Sequence, residues 1–561
     1  MKIKQIFTYY FCWYLLVFFS SCFLFSCKDK KSVSDKVIVD KPAEINKMAK
    51  EIINTTFEDL LNGDKSLIKT LSFKHPAIVQ YVYEQNGDEP IWTGNGKWKK
   101  EADSLLEFID SCRFYGLFPQ DYAKRRLDSL RINLTIDTAG NKNNLNASLW
   151  AEADILMTSS FIELVRDIKI GRLAIDTVDA KRDTSLSNSF YIAQLKGFKD
   201  SGSLAFKALE PTHKGYVALK GALRNFLKKA KFRKYTFVNP KDSLHLNDLL
   251  VKRLAEDSIT INEEEPNDSI ALAQAIKKYQ KKKGIKQDGK PSTTFIAVLN
   301  QNDEEKFVRI AITMDKYKQL QQLPQQYIWV NIPSYYLQLH DNDSVVLTSK
   351  VVVGKPTTRT PQLTSAISDM ITYPTWTIPE SIIEKEVLPA LKRDPGYIKH
   401  KGFSLVNDNG DEVDAYSVKW SKFKKNIPYK VVQGSGDDNA LGVLKFNFPN
   451  KFSVYLHDTN QRYLFGKSVR SLSHGCVRVQ DWLNLANYLL RNDSIASPKA
   501  VPIDSLNSWL AQKTRRYIPL HKRVPLYIRY FSCDVKADHF VFYDDIYGED
   551  RKLKDKYFAD K

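Results

Sequence analysis

The sequence predicts a multidomain α+β protein: a mainly helical N-terminal region, a small helical module, and a β-rich C-terminal domain that carries an insertion. Three observations lead there. The chain has 561 residues, too many for one core at roughly 100–200 residues per domain. Apolar residues recur at three- and four-residue spacings in the first half, whereas alternating and β-branched runs dominate after residue 325. The composition, 43% hydrophobic and 27% charged, is that of a folded chain and excludes disorder over most of its length.

Residues 1–27 read as a leader. Lys2 and Lys4 precede an uncharged, mostly apolar stretch from Ile6 to Ser26. The run Leu24-Phe25-Ser26-Cys27 resembles the lipobox of bacterial lipoproteins, which implies Cys27 as a lipidated first residue. Phe25 departs from that pattern, and Cys22 is a rival position. An uncleaved anchor and a cleaved, untethered form are the alternatives; all three place the body of the chain outside the cytoplasm. Residues 28–45, charged and poor in apolar side chains, read as a tether.

Residues 46–235 form the helical region. Ile155, Leu156, Phe161, Ile162, Leu164, Val165 and Ile168 mark one long helix that Gly171 stops. Residues 236–302 form a small unit with helices at 268–280 and 293–299 around the turn Asp288-Gly289. A linking helix follows over 303–324. Strands at Tyr327–Pro333, Tyr335–Leu339 and Val345–Val353 open the β-rich domain, 325–500, with a turn at Asp341-Asn342-Asp343. Residues 378–425, helical over Ser381–Leu391 and then loop-like, read as a capping insertion. The tail, 501–561, returns to strand pattern and should pack back on the catalytic and scaffold body.

Chemistry concentrates between Lys445 and Val479. Phe452 to Leu456 alternates as a strand and delivers His457, nineteen residues before Cys476. A thiol that cleaves an amide needs a base and an oxyanion site. His457 can act as base and pair with the thiolate, and Gly475 lets backbone N–H groups approach the developing oxyanion. Of six cysteines, Cys12, Cys22 and Cys27 fall in the leader. Cys112, Cys476 and Cys533 remain, an odd number that leaves a free thiol in an oxidising compartment. If any pair bonds, Cys112–Cys533 is the pair compatible with a reduced Cys476. His340 and His400 read as surface residues, and the absence of Cys/His clusters at ligand spacing implies no metal and no cofactor.

The segments Asn439-Ala440-Leu441-Gly442, Tyr455-Leu456-His457-Asp458-Thr459 and Ser473-His474-Gly475-Cys476-Val477-Arg478 closely resemble the signature of YkuD-type L,D-transpeptidases. With Trp376-Thr377-Ile378-Pro379 and the helical scaffold, they resemble the large YcbB-like subgroup of Gram-negative bacteria. Ala275, Ile276, Tyr279, Gln280, Gly284, Asp288, Gly289, Thr293, Leu299 and Asn300 resemble a peptidoglycan-binding module. The resemblance implies Cys476 as nucleophile and His457 as base. It puts His474 and Gly475, after Ser473, beside the oxyanion hole, and Arg478 on the loop or a substrate carboxylate. Tyr455 shares the face of His457 and lines either cleft or core; Asp458, on the opposite face, is no triad member. The implied partners are peptidoglycan stem peptides and a membrane reached through a lipid anchor, in the periplasm, with the chain a monomer. The +19 formal charge invites nucleic acid, but the lysines are scattered and no nucleic-acid-binding motif occurs. The rivals are a non-catalytic wall-binding lipoprotein and an L,D-carboxypeptidase that uses water as acceptor.

Overall fold

A computed structural model describes residues 33, 35–63, 74–135, 142–174, 186–261 and 269–558. The expected leader 1–27, with Cys27, lies outside them, as does part of the tether. No described helix is long and apolar enough to cross a membrane. The chain divides into two compact units, one running to Ile170 and resuming over 184–210, the other built from 171–183 and 211–560.

The first unit is helical: α1 (Ile45–Leu61), α2 (Pro76–Gln85), α3 (Lys100–Ser111), α4 (Lys124–Thr135), α5 (Ala147–Ile170) and α6 (Asn188–Ser201). Helix α5 is buried on nearly every side, so its apolar residues surround it instead of forming one stripe. Trp92, Phe161 and Phe198 pack mutually with ring centroids 5.5–6.1 Å apart.

The second unit begins earlier than the expected limit at residue 235. Helix α7 (Lys214–Lys229) belongs to it because Phe226 packs edge-on against Phe540, as Phe232 does just beyond the helix against Phe307. Helices α8 (Leu246–Ala255), α9 (Ser269–Lys282) and α10 (Thr293–Leu299) form the small module around Leu254, Ile276, Tyr279 and Phe295. Its motif residues tie the module together. Gln280 donates to Asp288 (2.8 Å) and accepts from Gly289 N–H (2.9 Å), and Asn300 bonds both backbone groups of Val238. Helix α11 (Asp303–Gln319), capped by Asn302, is an internal helix, with an Asp315–Lys318 pair fully buried at its end.

The sheet has nine strands: β1 (Gln326–Asn331), β2 (Tyr336–Asp341), β3 (Ser344–Gly354), β4 (Leu363–Thr372), β8 (Leu444–Asn447), β9 (Leu456–His457), β10 (Ser471–Ser473), β11 (Val477–Val479) and β12 (Arg516–Arg529). Its order is β10-β3-β11-β9-β8-β4-β12-β1-β2, and β2 pairs again with β3, so the ring of hydrogen-bonded neighbours closes. Ile328, Leu339, Val351, Ile367, Leu456, Val477 and Leu526 fill its core, together with Leu485 and Leu489 of α12 (Trp482–Ala496). The insertion spans slightly more than expected, from β5 (Trp376–Thr377) to β7 (Lys430–Gln433). With β6 (Phe403–Val406) it makes a separate sheet over its own core of Ile383, Leu388, Trp420 and Val431.

The tail holds the expected strands and adds two helices. Residues 503–511 are helical (α13), β13 (Cys533–Lys536) and β14 (His539–Phe542) form a hairpin, and Glu549–Tyr557 is α14. Strand β12 does not merely pack on the domain: it lies inside the sheet, antiparallel to β4 and parallel to β1. Cys112 and Cys533 form no disulfide and are each buried within their own unit. His340 is not a free surface residue either; its ring stacks on Tyr327 at 4.4 Å, and burial lowers its pKa to about 4. His400 is exposed, as read from the sequence.

Candidate active site

Strands β8, β9 and β11 lie side by side, with Lys445 opposite His457 and His457 opposite Arg478. Directly opposed residues share a face, so the three side chains form one row. Cys476 precedes β11, and Tyr455 accepts from the next N–H, that of Val477, at 3.1 Å. The expected strand 452–456 is mostly absent. Asn450 accepts from Phe452 and Val454 N–H and donates to the carbonyls of Phe448 and Val454, while Ser453 takes a φ of +55°. This side-chain-built turn leaves only Leu456 and His457 in the ladder. The Tyr455 and His457 rings lie 5.6 Å apart.

The loop before Cys476 is closed by its own serine. Ser473 Oγ donates to the Cys476 carbonyl (2.6 Å) and accepts from Gly475 N–H (3.2 Å). That bond engages the Gly475 N–H, so Gly475 shapes the loop instead of offering its own N–H to an oxyanion. Its φ of +124° is one that a Cβ would strain. A turn that the sequence reading missed cradles the loop. Thr358 and Thr360 donate to the carbonyls of Ser473 (3.0 Å) and Gly475 (2.8 Å), and Lys355 N–H donates to Ser473 (2.9 Å). The available signal was the run Gly354-Lys-Pro-Thr-Thr-Arg-Thr360 after a strand, rich in turn formers and hydroxyls. His474 points elsewhere: its Nε2 meets Glu386 Oε1 of the insertion at 2.6 Å, from a π-helical turn at Ile383–Val387.

A small cavity of about 100 Å³ is lined by Cys476, His457, Tyr455, Leu441 and, from the insertion, Trp376 and Ile382. His457 is 4% exposed. Burial and the Arg478 guanidinium, with Lys445 adding to them, pull its pKa down to about 3 against the opposing carbonyls of Asp458 and Leu441. The ring is therefore neutral, with a lone pair to accept a proton. Burial pushes the Cys476 thiol up, while hydrogen bonds with Tyr455 and the charges of Lys445 and Arg478 pull it back. Both shifts favour the uncharged forms, thiol and neutral imidazole. His457 Nδ1 has no hydrogen bond of good geometry, though the Leu441 and Asp458 carbonyls face the ring. Asp458 is buried and aimed away from His457: it accepts from Val443 N–H (3.0 Å) and Arg462 (2.8 Å), holding the 439–443 turn that presents Leu441. Arg478 donates to Gln461 at 2.8 Å, at the open side of the site.

Residues 325–503 match the family model of the YkuD L,D-transpeptidase catalytic domain, and residues 77–223 match that of a scaffold domain. A curated relative from Haemophilus influenzae, named a putative L,D-transpeptidase, is 37% identical over 226 residues. That match covers 40% of this chain and 45% of the relative. A solved L,D-transpeptidase from Mycobacterium smegmatis aligns over 36% of this chain and 58% of its own at 10% identity. Its TM-score of 0.18 is too low to carry a fold assignment.

Proposed function

From a chain that carries a YkuD-type L,D-transpeptidase catalytic domain beside a scaffold domain, we propose an enzyme that forms 3→3 peptidoglycan cross-links through a thioester on Cys476. The observation that carries the reading is that Cys476 and a neutral, buried His457 line one cavity beneath Trp376 of the insertion. Sγ attacks the carbonyl of stem residue three, and the thiol proton passes to the imidazole. The imidazolium returns it to the departing amine of D-Ala, leaving the acyl group on sulfur. An amine of a neighbouring stem then attacks the thioester, its proton passing by His457 back to the thiolate as the new amide forms. The insertion shields the thioester from water. The chain would work from a lipid anchor at Cys27, in the periplasm.

Purified protein incubated with tetrapeptide-stem muropeptides should release D-Ala and give 3→3 dimers by mass spectrometry. Cys476→Ala should do neither and should form no covalent adduct with a carbapenem, a loss on the order of 10³-fold or more. Dimers formed by Cys476→Ala would overturn the assignment. Tripeptides without dimers would make water the acceptor.

A further inference from the structure

We propose that Lys445 supplies positive charge that stabilises the Cys476 thiolate as His457 takes its proton; this rests on Cys476 being the nucleophile. Lys445 lies directly opposite His457 in the β8–β9 ladder, and its Nζ sits 4.1 Å from the centroid of the Tyr455 ring. Tyr455, His457 and Cys476 in turn line one cavity. A lysine placed this way holds its ammonium over the aromatic face of Tyr455, beside the cavity that Cys476 lines.

The rest of its environment leaves that charge available. Lys445 is half-buried and forms no salt bridge among the described residues. Two negative groups face it, the Cys476 sulfur when ionised and the Asp369 carboxylate. Asp369 already accepts from Asn447 (2.6 Å) and Ser368 (2.7 Å). The groups facing Cys476 are Tyr455, Lys445 and Arg478, and Arg478 is tethered to Gln461. His457 cannot hold a standing positive charge between Arg478 and Lys445. When the thiol proton moves onto it, the S–H bond breaks and an N–H bond forms. The thiolate then gains Lys445, and the same ammonium destabilises the imidazolium, so that the proton passes on readily to the departing amine.

The test is the pH dependence of iodoacetamide alkylation in the full chain without substrate, read at each cysteine by peptide mass mapping from pH 6 to 10. Buried Cys112 and Cys533 are internal controls for folding. Lys445→Met should move the rise in Cys476 alkylation up by about one pH unit and slow it about tenfold at pH 7.5; Lys445→Arg should restore it. Lys445→Gln gives a second neutral side chain should the methionine variant expose Cys112 or Cys533. A profile that coincides with wild type overturns the proposal, including the case where KM for the donor stem alone rises and Lys445 reads a stem carboxylate. Cross-linking that survives in Cys476→Ala sinks the nucleophile itself, whereas an unchanged Lys445→Met profile sinks only the role of Lys445.

Discussion

Two buried polar centres in this chain are built in opposite ways. In the helical unit, the Asp154 carboxylate of α5 accepts from the N–H groups of Ile91, Trp92 and Thr93, from Thr93 Oγ1 and from Tyr83 OH, all at 2.7–2.9 Å. Beside it Thr158 accepts from the Trp92 indole. Around Cys476, by contrast, His457 Nδ1, Trp376 Nε1 and Arg478 Nε are buried without a hydrogen bond of good geometry. A structural carboxylate is saturated by the fold, and its role ends there. A site leaves donors and acceptors open because its partners arrive with the substrate.

Substitutions can break this contrast. Asp154→Ala strands three buried N–H groups at once and should lower unfolding stability by about 3 kcal/mol or more, read as a fall in the urea midpoint. Cys476 alkylation per folded molecule should stay the same; a matching fall would show that the two centres are coupled. Asp458→Asn should lower kcat about tenfold with little change in KM. It removes the charge that holds Arg462 and the 439–443 turn, and with them the Leu441 carbonyl facing His457. A rise in KM alone would argue against that positioning role. Glu386→Gln weakens only a half-exposed contact to His474, worth about 0.2–1 kcal/mol, and should slow acylation no more than about twofold to fivefold.

What the sequence made legible follows from local pattern. The spacing in α5 and the Gly171 stop need only neighbouring residues, and so does the run Ser473–Arg478. The Asp154 hub was invisible because a carboxylate in a helical run serves a turn some 60 residues upstream. Alternation at 452–456 promised a strand, but Asn450 won those backbone groups with its own amide. The Thr358–Thr360 cradle is read only when β3 and β10 are known to be neighbours. Whether His457 accepts the thiol proton or pairs with a thiolate is not legible locally, because burial and two flanking cations, Lys445 and Arg478, come from the fold and favour the neutral imidazole.

Strand β12 has a consequence in time. It separates β4 from β1 in the sheet, yet it follows β1 by about 190 residues in the chain. At roughly 5–20 residues per second, vectorial synthesis would leave the facing sides of β1 and β4 unsatisfied for about 10–40 s after β1 emerges. Closure of the ring, and with it the final geometry around Cys476, therefore waits for β12. The thiol acquires its surroundings only once that strand has been made.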